Sequence, residues 1–156
     1  VFYHGQPPNG SGFFTNGLNH VTLPSGTQIM YTLSDMYTAE DWWPSKQVIT
    51  DKIDSADIWV TVDDTLKAGS NGLLTAITPK PGNKARYEWK TRYPIDYYLI
   101  SVAVAPYGDY SYYMHYTDGS GDSMLIQNYV YDSLTFMPAR LSTASPMRRT
   151  TSTGSG

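Results

Sequence analysis

The chain has 156 residues, a net charge of −3 and no cysteine. This length suits one domain with a single core, and the lack of cysteine excludes a disulfide framework, a thiolate metal site and a cysteine nucleophile. Three arginines and no acid follow residue 132, so the net charge becomes −6 once they are left out, which argues against a nucleic-acid partner.

No run approaches the roughly 18 apolar residues that a membrane span needs, so no span is predicted. The chain starts with β-forming residues at Val1–Tyr3 and without a charged and then apolar leader. We therefore expect a fragment cut from a longer protein, which can lack its own first strands. The compartment stays open, with the periplasm or secretion favoured, because exported proteins also lack cysteine in many cases.

The first predicted elements are a loop and a hairpin. Residues 5–17 are rich in glycine, proline and polar side chains, which predicts a loop. The stretch 57–62 alternates apolar and polar side chains, as a half-buried strand does. Asn71-Gly72 is a strong tight-turn signal before a second apolar stretch at 73–77, so we predict that these two strands form a β-hairpin.

Four more strands are predicted along the rest of the chain. Residues 84–93 place charged side chains on one face and mainly aromatic ones on the other. Residues 97–105 are apolar nearly throughout, which is typical of a buried strand. The stretches 110–117 and 123–131 flank the turn residues 118–122, so we expect those two strands to pair.

These patterns predict an all-β fold of twisted antiparallel sheets, sandwich-like or saddle-like, with little or no helix. No window of 11 residues keeps a period of 3.6, and 13 glycines and 10 prolines punctuate the chain. We predict one β domain over residues 1–131. The composition of residues 132–156 shifts to serine, threonine, arginine and proline, which indicates a mobile tail, a tag, a linker or a frame change.

No catalytic residue and no metal ligand is predicted within the chain. The histidines are far apart in sequence, and none belongs to a His-Glu-x-x-His motif, the arrangement that places two imidazoles on one zinc ion. No Gly-x-Ser-x-Gly motif supports a serine nucleophile. The acids of residues 118–122 and the pair at 63–64 are interpreted as turn and strand-end residues. The histidines are His4, His20 and His115.

Aromatic side chains are the most prominent feature of the composition, with 14 tyrosines and 4 tryptophans. Exposed aromatic rings can stack on sugars or peptides, so one hypothesis is a free-standing carbohydrate- or protein-binding β-sandwich. The competing interpretation is that these rings cover a sandwich core or an interdomain face.

The centre of the chain resembles the aminopeptidase N family of zinc metallopeptidases. Members typically carry an aromatic-Pro-Cys-x-Asp element, a lysine-containing strand start, a Ser-Asn-Gly hairpin and a Tyr-Leu-Ile-Ser-Val-Ala strand. Similar elements occur here in the same order. They are Glu40–Gln47, Asp51–Val62, Leu66–Gly72 and Tyr87–Val104.

This resemblance implies a saddle-shaped N-terminal β domain that flanks the active site of a catalytic domain absent from this chain. Zinc, water activation and the general base would belong to that catalytic domain, so the fragment needs no cofactor and hydrolyses nothing alone. The implied partners are the catalytic domain of the same parent chain and the N-terminus of a peptide substrate. The parent would be a zinc-dependent aminopeptidase.

The resemblance also implies one substrate-binding residue, Asp35. In the family, a glutamine or glutamate nine positions before the proline helps to bind the free α-amine of the substrate, and nine positions before Pro44 stands Asp35. A carboxylate suits an ammonium group, although aspartate is one methylene shorter than glutamate. The alternative is a capping or turn aspartate at a strand end. The sequence departs from the family at Glu40, Ser45 and Gln47, which leaves room for a degenerate member.

Overall fold

The computed structural model describes residues 1–6 and 17–131. The chain divides into two compact units, Val1–Pro106 and a second that starts at Tyr107, and each is described by itself. Most of the predicted loop at 5–17 and the whole predicted tail at 132–156 lie outside the described residues. The single β domain over 1–131 therefore stays a prediction.

The all-β prediction is confirmed. In the described residues of the first unit, seven strands form two antiparallel sheets, and the only helical pieces are two three-residue 3₁₀ helices, Ala39–Asp41 and Tyr97–Leu99. No helix among the described residues is long and apolar enough to cross a membrane. The strands are β1 (Gly17–Thr22), β2 (Gln28–Leu33), β3 (Ala56–Asp63), β4 (Lys67–Ser70), β5 (Leu73–Lys80), β6 (Lys84–Thr91) and β7 (Val102–Ala105).

The first sheet has four strands in the order β1-β2-β7-β4. Its core lies along β4 and β7, where Ala68, Val104 and Ala105 are buried and Ala68 is the register partner of Val104. Small side chains at these positions allow the second sheet to approach the backbone of β4 closely. This sheet positions the segment after β2, where Asp35 lies.

The second sheet has three strands in the order β3-β6-β5, and β6 follows the predicted alternation. Tyr87, Trp89 and the smaller Thr91 are buried on its inner face. The Trp89 Nε1–H donates to the carbonyl of Ala68 at 3.0 Å, and the Tyr87 hydroxyl donates to the carbonyl of Leu66 at 3.2 Å. Because both polar tips find backbone acceptors, the large rings are buried without losing their hydrogen bonds.

The predicted hairpin between the stretches 57–62 and 73–77 is wrong. β6 lies between β3 and β5, and the Asn71-Gly72 turn instead carries the chain from β4 to β5 in the other sheet. Gly72 has φ +88°, and a Cβ there would lie 2.3 Å from the carbonyl oxygen of Lys90. Only glycine fits the second position of this dipeptide. The dipeptide thus locates the turn correctly, but a local turn signal does not decide which strands pair.

The predicted buried strand over 97–105 is only partly correct. Residues 97–99 form a 3₁₀ helix, and the strand β7 covers only residues 102–105. Tyr97 and Ile100 are nonetheless buried, at 2% and 7% exposure. The apolar run therefore indicates burial only in part, since Leu99 is 48% exposed, and packing buries Tyr97 and Ile100 without a sheet ladder.

The second unit consists of two small antiparallel ladders in its described part. The expected pairing across residues 118–122 is confirmed for β9 (Tyr112–His115) and β10 (Ser123–Ile126). The predicted strand over 123–131 is however divided, because residues 129–131 form a separate strand. β8 (Tyr107–Asp109) pairs with β11 (Tyr129–Tyr131), which brings the rings of Tyr129 and Tyr131 within 5.9 and 5.3 Å of the Tyr107 ring. Burial, with a smaller effect of Tyr131, raises the pKa of Tyr107 to about 12.

Candidate functional site

Asp35 lies in a turn between β2 and the 3₁₀ helix at residues 39–41, with its side chain exposed. Its carbonyl accepts the Thr38 N–H at 3.1 Å, and its own N–H donates to the Thr38 Oγ1 at 2.6 Å. The carboxylate of Asp35 has no hydrogen bond or ion pair with any described residue. The turn is therefore built by the backbone of Asp35, and its carboxylate stays available for a ligand.

A buried tyrosine and a half-buried tryptophan hold this turn in place. The hydroxyl of Tyr97 donates to the carbonyl of Met36, and the Trp42 Nε1–H donates to the Ser34 Oγ at 3.0 Å. Burial raises the pKa of Tyr97 above its ordinary value of 10.0, so its hydroxyl keeps the donated proton beyond the pH at which a free tyrosine ionises. Asp35 thus stands between two anchored positions, which limits the movement of its backbone.

The indole rings of Trp42 and Trp43 separate two cavities in the first unit. Their centroids are 6.2 Å apart, and the ring planes are tilted by 56°. The acidic cavity, of about 340 Å³, also has Tyr3, Glu40 and Asp41 in its walls. The apolar cavity, of about 390 Å³, is formed on the other side by Ile53, Asp57, Ile58, Trp59 and Ile100, with Ala56.

Negative charge accumulates next to the Asp35 turn. Glu40 and Asp41 are exposed, and neither makes an ion pair with a described residue, whereas the nearby Lys46 is paired with Asp51. Three unpaired carboxylates within seven residues create a negative potential at this end of the first unit. Such a potential attracts cationic groups, of which a peptide α-ammonium is one.

One feature of this region was not visible in the sequence. Trp43 Nε1, Ser45 Oγ and Gln47 Oε1 are buried atoms without a hydrogen-bond partner in the part of the chain that the structure describes. Burial alternates along this segment, because Trp43, Ser45 and Gln47 are half-buried whereas Pro44 and Lys46 are exposed. Ser45 and Gln47 also occupy two of the positions at which the sequence departs from the family pattern.

Within residues 1–6 and 17–131, no group of three histidine, aspartate or glutamate side chains is arranged to hold a metal ion. The zinc that the resemblance implies for the parent therefore does not fit the described residues. His115 lies in β9 of the second unit, and His20 lies in β1 of the first. The side chains that the described region around Asp35 exposes are mainly carboxylates and aromatic rings.

Comparisons with known proteins find a similar fold among solved structures. No protein-family model and no curated protein sequence matches the chain. An M1 zinc metallopeptidase from Deinococcus radiodurans is similar over 65% of this chain, with a TM-score of 0.52 and 18% identity. A glutamate-to-alanine variant of such an enzyme from that organism is similar over 80%, with a TM-score of 0.59 and 17% identity.

A third solved structure is that of this variant bound to a Tyr-Ser-Ala substrate, and it is similar over 79% of the chain with a TM-score of 0.59. The chain spans about a quarter of the length of these structures, between 22% and 27%. At such low identity, the likeness concerns the fold. The chain therefore has a fold similar to that of the N-terminal domain of M1 zinc metallopeptidases.

Proposed function

We propose that this chain is the non-catalytic N-terminal domain of a zinc-dependent, aminopeptidase-like metallopeptidase. Its partner is the catalytic domain of the same parent chain, which carries the zinc ion. Three findings support this proposal: the similarity in fold, the small share of the neighbours' length that the chain covers, and the ordered sequence elements between Glu40 and Val104. By this proposal the chain alone has no peptidase activity.

We further propose that Asp35 binds the α-ammonium group of the peptide substrate. The observation that carries this proposal is the exposed Asp35 carboxylate, which has no partner among the described residues and stands on a turn anchored by Tyr97 and Trp42. A preorganised carboxylate binds an ammonium group at little entropic cost, because its backbone does not have to be ordered on binding. The acids Glu40 and Asp41 strengthen the local negative potential.

The test uses the complete parent protein and an amino-acid anilide with a free α-amine. We expect Asp35→Asn to raise KM by roughly 10- to 100-fold, the usual value of a hydrogen bond to a charged group, with a smaller effect on kcat. The same substrate with an acetylated amine loses its ammonium group, so its slow turnover should not change in the variant. Asp35→Glu retains the charge and should preserve most of the affinity.

Asp64→Asn is the matched control. Asp64 is also an exposed aspartate without an ion pair among the described residues, but it follows the end of β3 that is remote from Ala56 and the apolar cavity. Equal KM values for Asp35→Asn and Asp64→Asn would refute the role of Asp35. An active parent that lacks zinc would instead refute the proposal about the whole protein.

A second candidate function is a carbohydrate- or protein-binding module. It is favoured by four tyrosines that are more than half exposed, namely Tyr3, Tyr37, Tyr93 and Tyr113 at 64%, 63%, 84% and 65%. Rings of this kind offer flat apolar surfaces to sugars or peptides. Saturable binding on a glycan array that disappears in Tyr93→Ala would support this function, and an array without any such signal would contradict the sugar-binding form.

A further inference from the structure

The two edges of the three-stranded sheet differ in how they are protected. The edge strand β5 contains Pro79 and a bulge between Leu74 and Ala76. Proline and bulges are the devices with which proteins prevent another chain from adding to a sheet edge. The edge strand β3 has eight residues, no proline and a continuous register with β6.

The register shows which backbone groups of β3 point outward. Asp64 donates its N–H to the carbonyl of Asn83 at 2.9 Å, one step beyond the Asp63–Lys84 pair. Antiparallel pairs alternate between hydrogen-bonded and non-bonded ones, so the even-numbered residues of β3 bond to β6. The outward N–H and C=O groups, which bond to no other described residue, are those of Asp57, Trp59 and Thr61.

The apolar cavity lies beside this open edge. Asp57 and Trp59 belong both to the outward-pointing backbone positions and to the cavity wall, and the indoles of Trp42 and Trp43 form the opposite wall. The side chain of Trp59 is 61% exposed, and the guanidinium of Arg86 stacks on its ring at 4.4 Å. The volume of about 390 Å³ is within the range of ligand-binding pockets.

The segment that contains this edge is strongly acidic. Residues 35–64 include eight aspartates and glutamates but only two lysines. Both lysines are paired with acids, and Asp57 has Lys90 and Arg92 as neighbours. The acids of this segment that lack an ion pair among the described residues are Asp35, Glu40, Asp41, Asp54 and Asp64. A partner with positive charges would therefore complement this surface.

We propose that the edge of β3 and the apolar cavity form a docking site for an extended, basic segment of a partner protein. The segment adds as an antiparallel strand to Asp57, Trp59 and Thr61, and one large apolar side chain enters the cavity between Trp42, Trp43 and Trp59. Main-chain hydrogen bonds supply affinity, and the cavity supplies specificity. This docking site does not depend on the proposed role of Asp35.

The test titrates the 156-residue chain with a capped heptapeptide in which lysine alternates with valine around a central phenylalanine. Tryptophan fluorescence and calorimetry should show saturable binding. Replacing the phenylalanine of the peptide by alanine removes the anchor and should weaken binding at least ~10-fold. A peptide with glutamate in place of lysine should bind more weakly still, since it would face like charges.

Variants of the protein distinguish the two edges. Thr61→Pro removes an outward N–H of β3 without removing a bond to β6, and it should weaken peptide binding at least ~10-fold. Ile77→Pro is the matched control on β5, where it should leave binding unchanged. Absence of saturable binding, or equal binding by the phenylalanine and alanine peptides, would overturn the proposal. The peptide series decides the question even if Thr61→Pro does not fold.

Discussion

Replacing Tyr97 by phenylalanine tests how the Asp35 turn is held in place. Tyr97 is 2% exposed, and its hydroxyl donates to the carbonyl of Met36. The substitution keeps the ring and removes this hydrogen bond, whose net contribution to stability is about 0.5–1.5 kcal/mol because Met36 is an exposed residue. For a chain of this size, a loss of ~1 kcal/mol lowers the unfolding midpoint by roughly 2–4 °C.

The assay combines urea unfolding with hydrogen exchange of the 156-residue chain. The amide of Thr38, which donates to Asp35, should exchange faster in Tyr97→Phe, because the turn is released. Tyr98→Phe is the matched control, since Tyr98 is a neighbouring, half-buried tyrosine whose hydroxyl makes no hydrogen bond to a described residue. A destabilisation below ~0.5 kcal/mol in Tyr97→Phe, or one equal to that in Tyr98→Phe, would refute this reasoning.

Three further predictions concern stability. Gly72→Ala should destabilise the chain by at least ~2 kcal/mol in urea unfolding, because φ is +88° and the new Cβ would meet the Lys90 carbonyl. Gly82→Ala is the control: its Cβ has free space, and the substitution should cost only ~1 kcal/mol. Burial raises the pKa of Tyr107 from 10.0 to about 12, so the folded state loses stability as pH rises through this window, and Tyr107→Phe should flatten the alkaline unfolding curve. The pKa of Glu88 is lowered below 4.5, chiefly by a hydrogen bond from Thr78, so the free energy of unfolding should fall as pH drops below that value. The fall should be less steep in Glu88→Gln, and identical plots of stability against acid pH for the two proteins would contradict this prediction.

The sequence predicted strand faces better than strand partners. The alternation in β6 identified the buried Tyr87 and Trp89, because a period of two follows directly from strand geometry. The Asn71-Gly72 signal located a turn but not the sheets it connects, since pairing depends on packing between distant residues. The 3₁₀ helix at residues 97–99 was predicted as part of a strand, because an apolar run indicates burial but does not distinguish a helix from a strand.

The candidate site shows the same division. The position of Asp35 came from the resemblance, and the free carboxylate and the anchoring by Tyr97 and Trp42 are visible only in three dimensions. The open edge of β3 could not be predicted from the sequence either, because the strand order depends on contacts between distant residues. Charge was the exception, because the eight acids of residues 35–64 can be counted in the sequence itself.

The most direct test of the central proposal is the zinc content of the complete parent protein together with the sequence of its remaining part. We predict about one zinc ion per parent chain, held by a His-Glu-x-x-His motif outside this chain, and no stoichiometric zinc on the 156-residue chain alone. A complete parent protein that lacks this motif and binds no zinc would contradict the account.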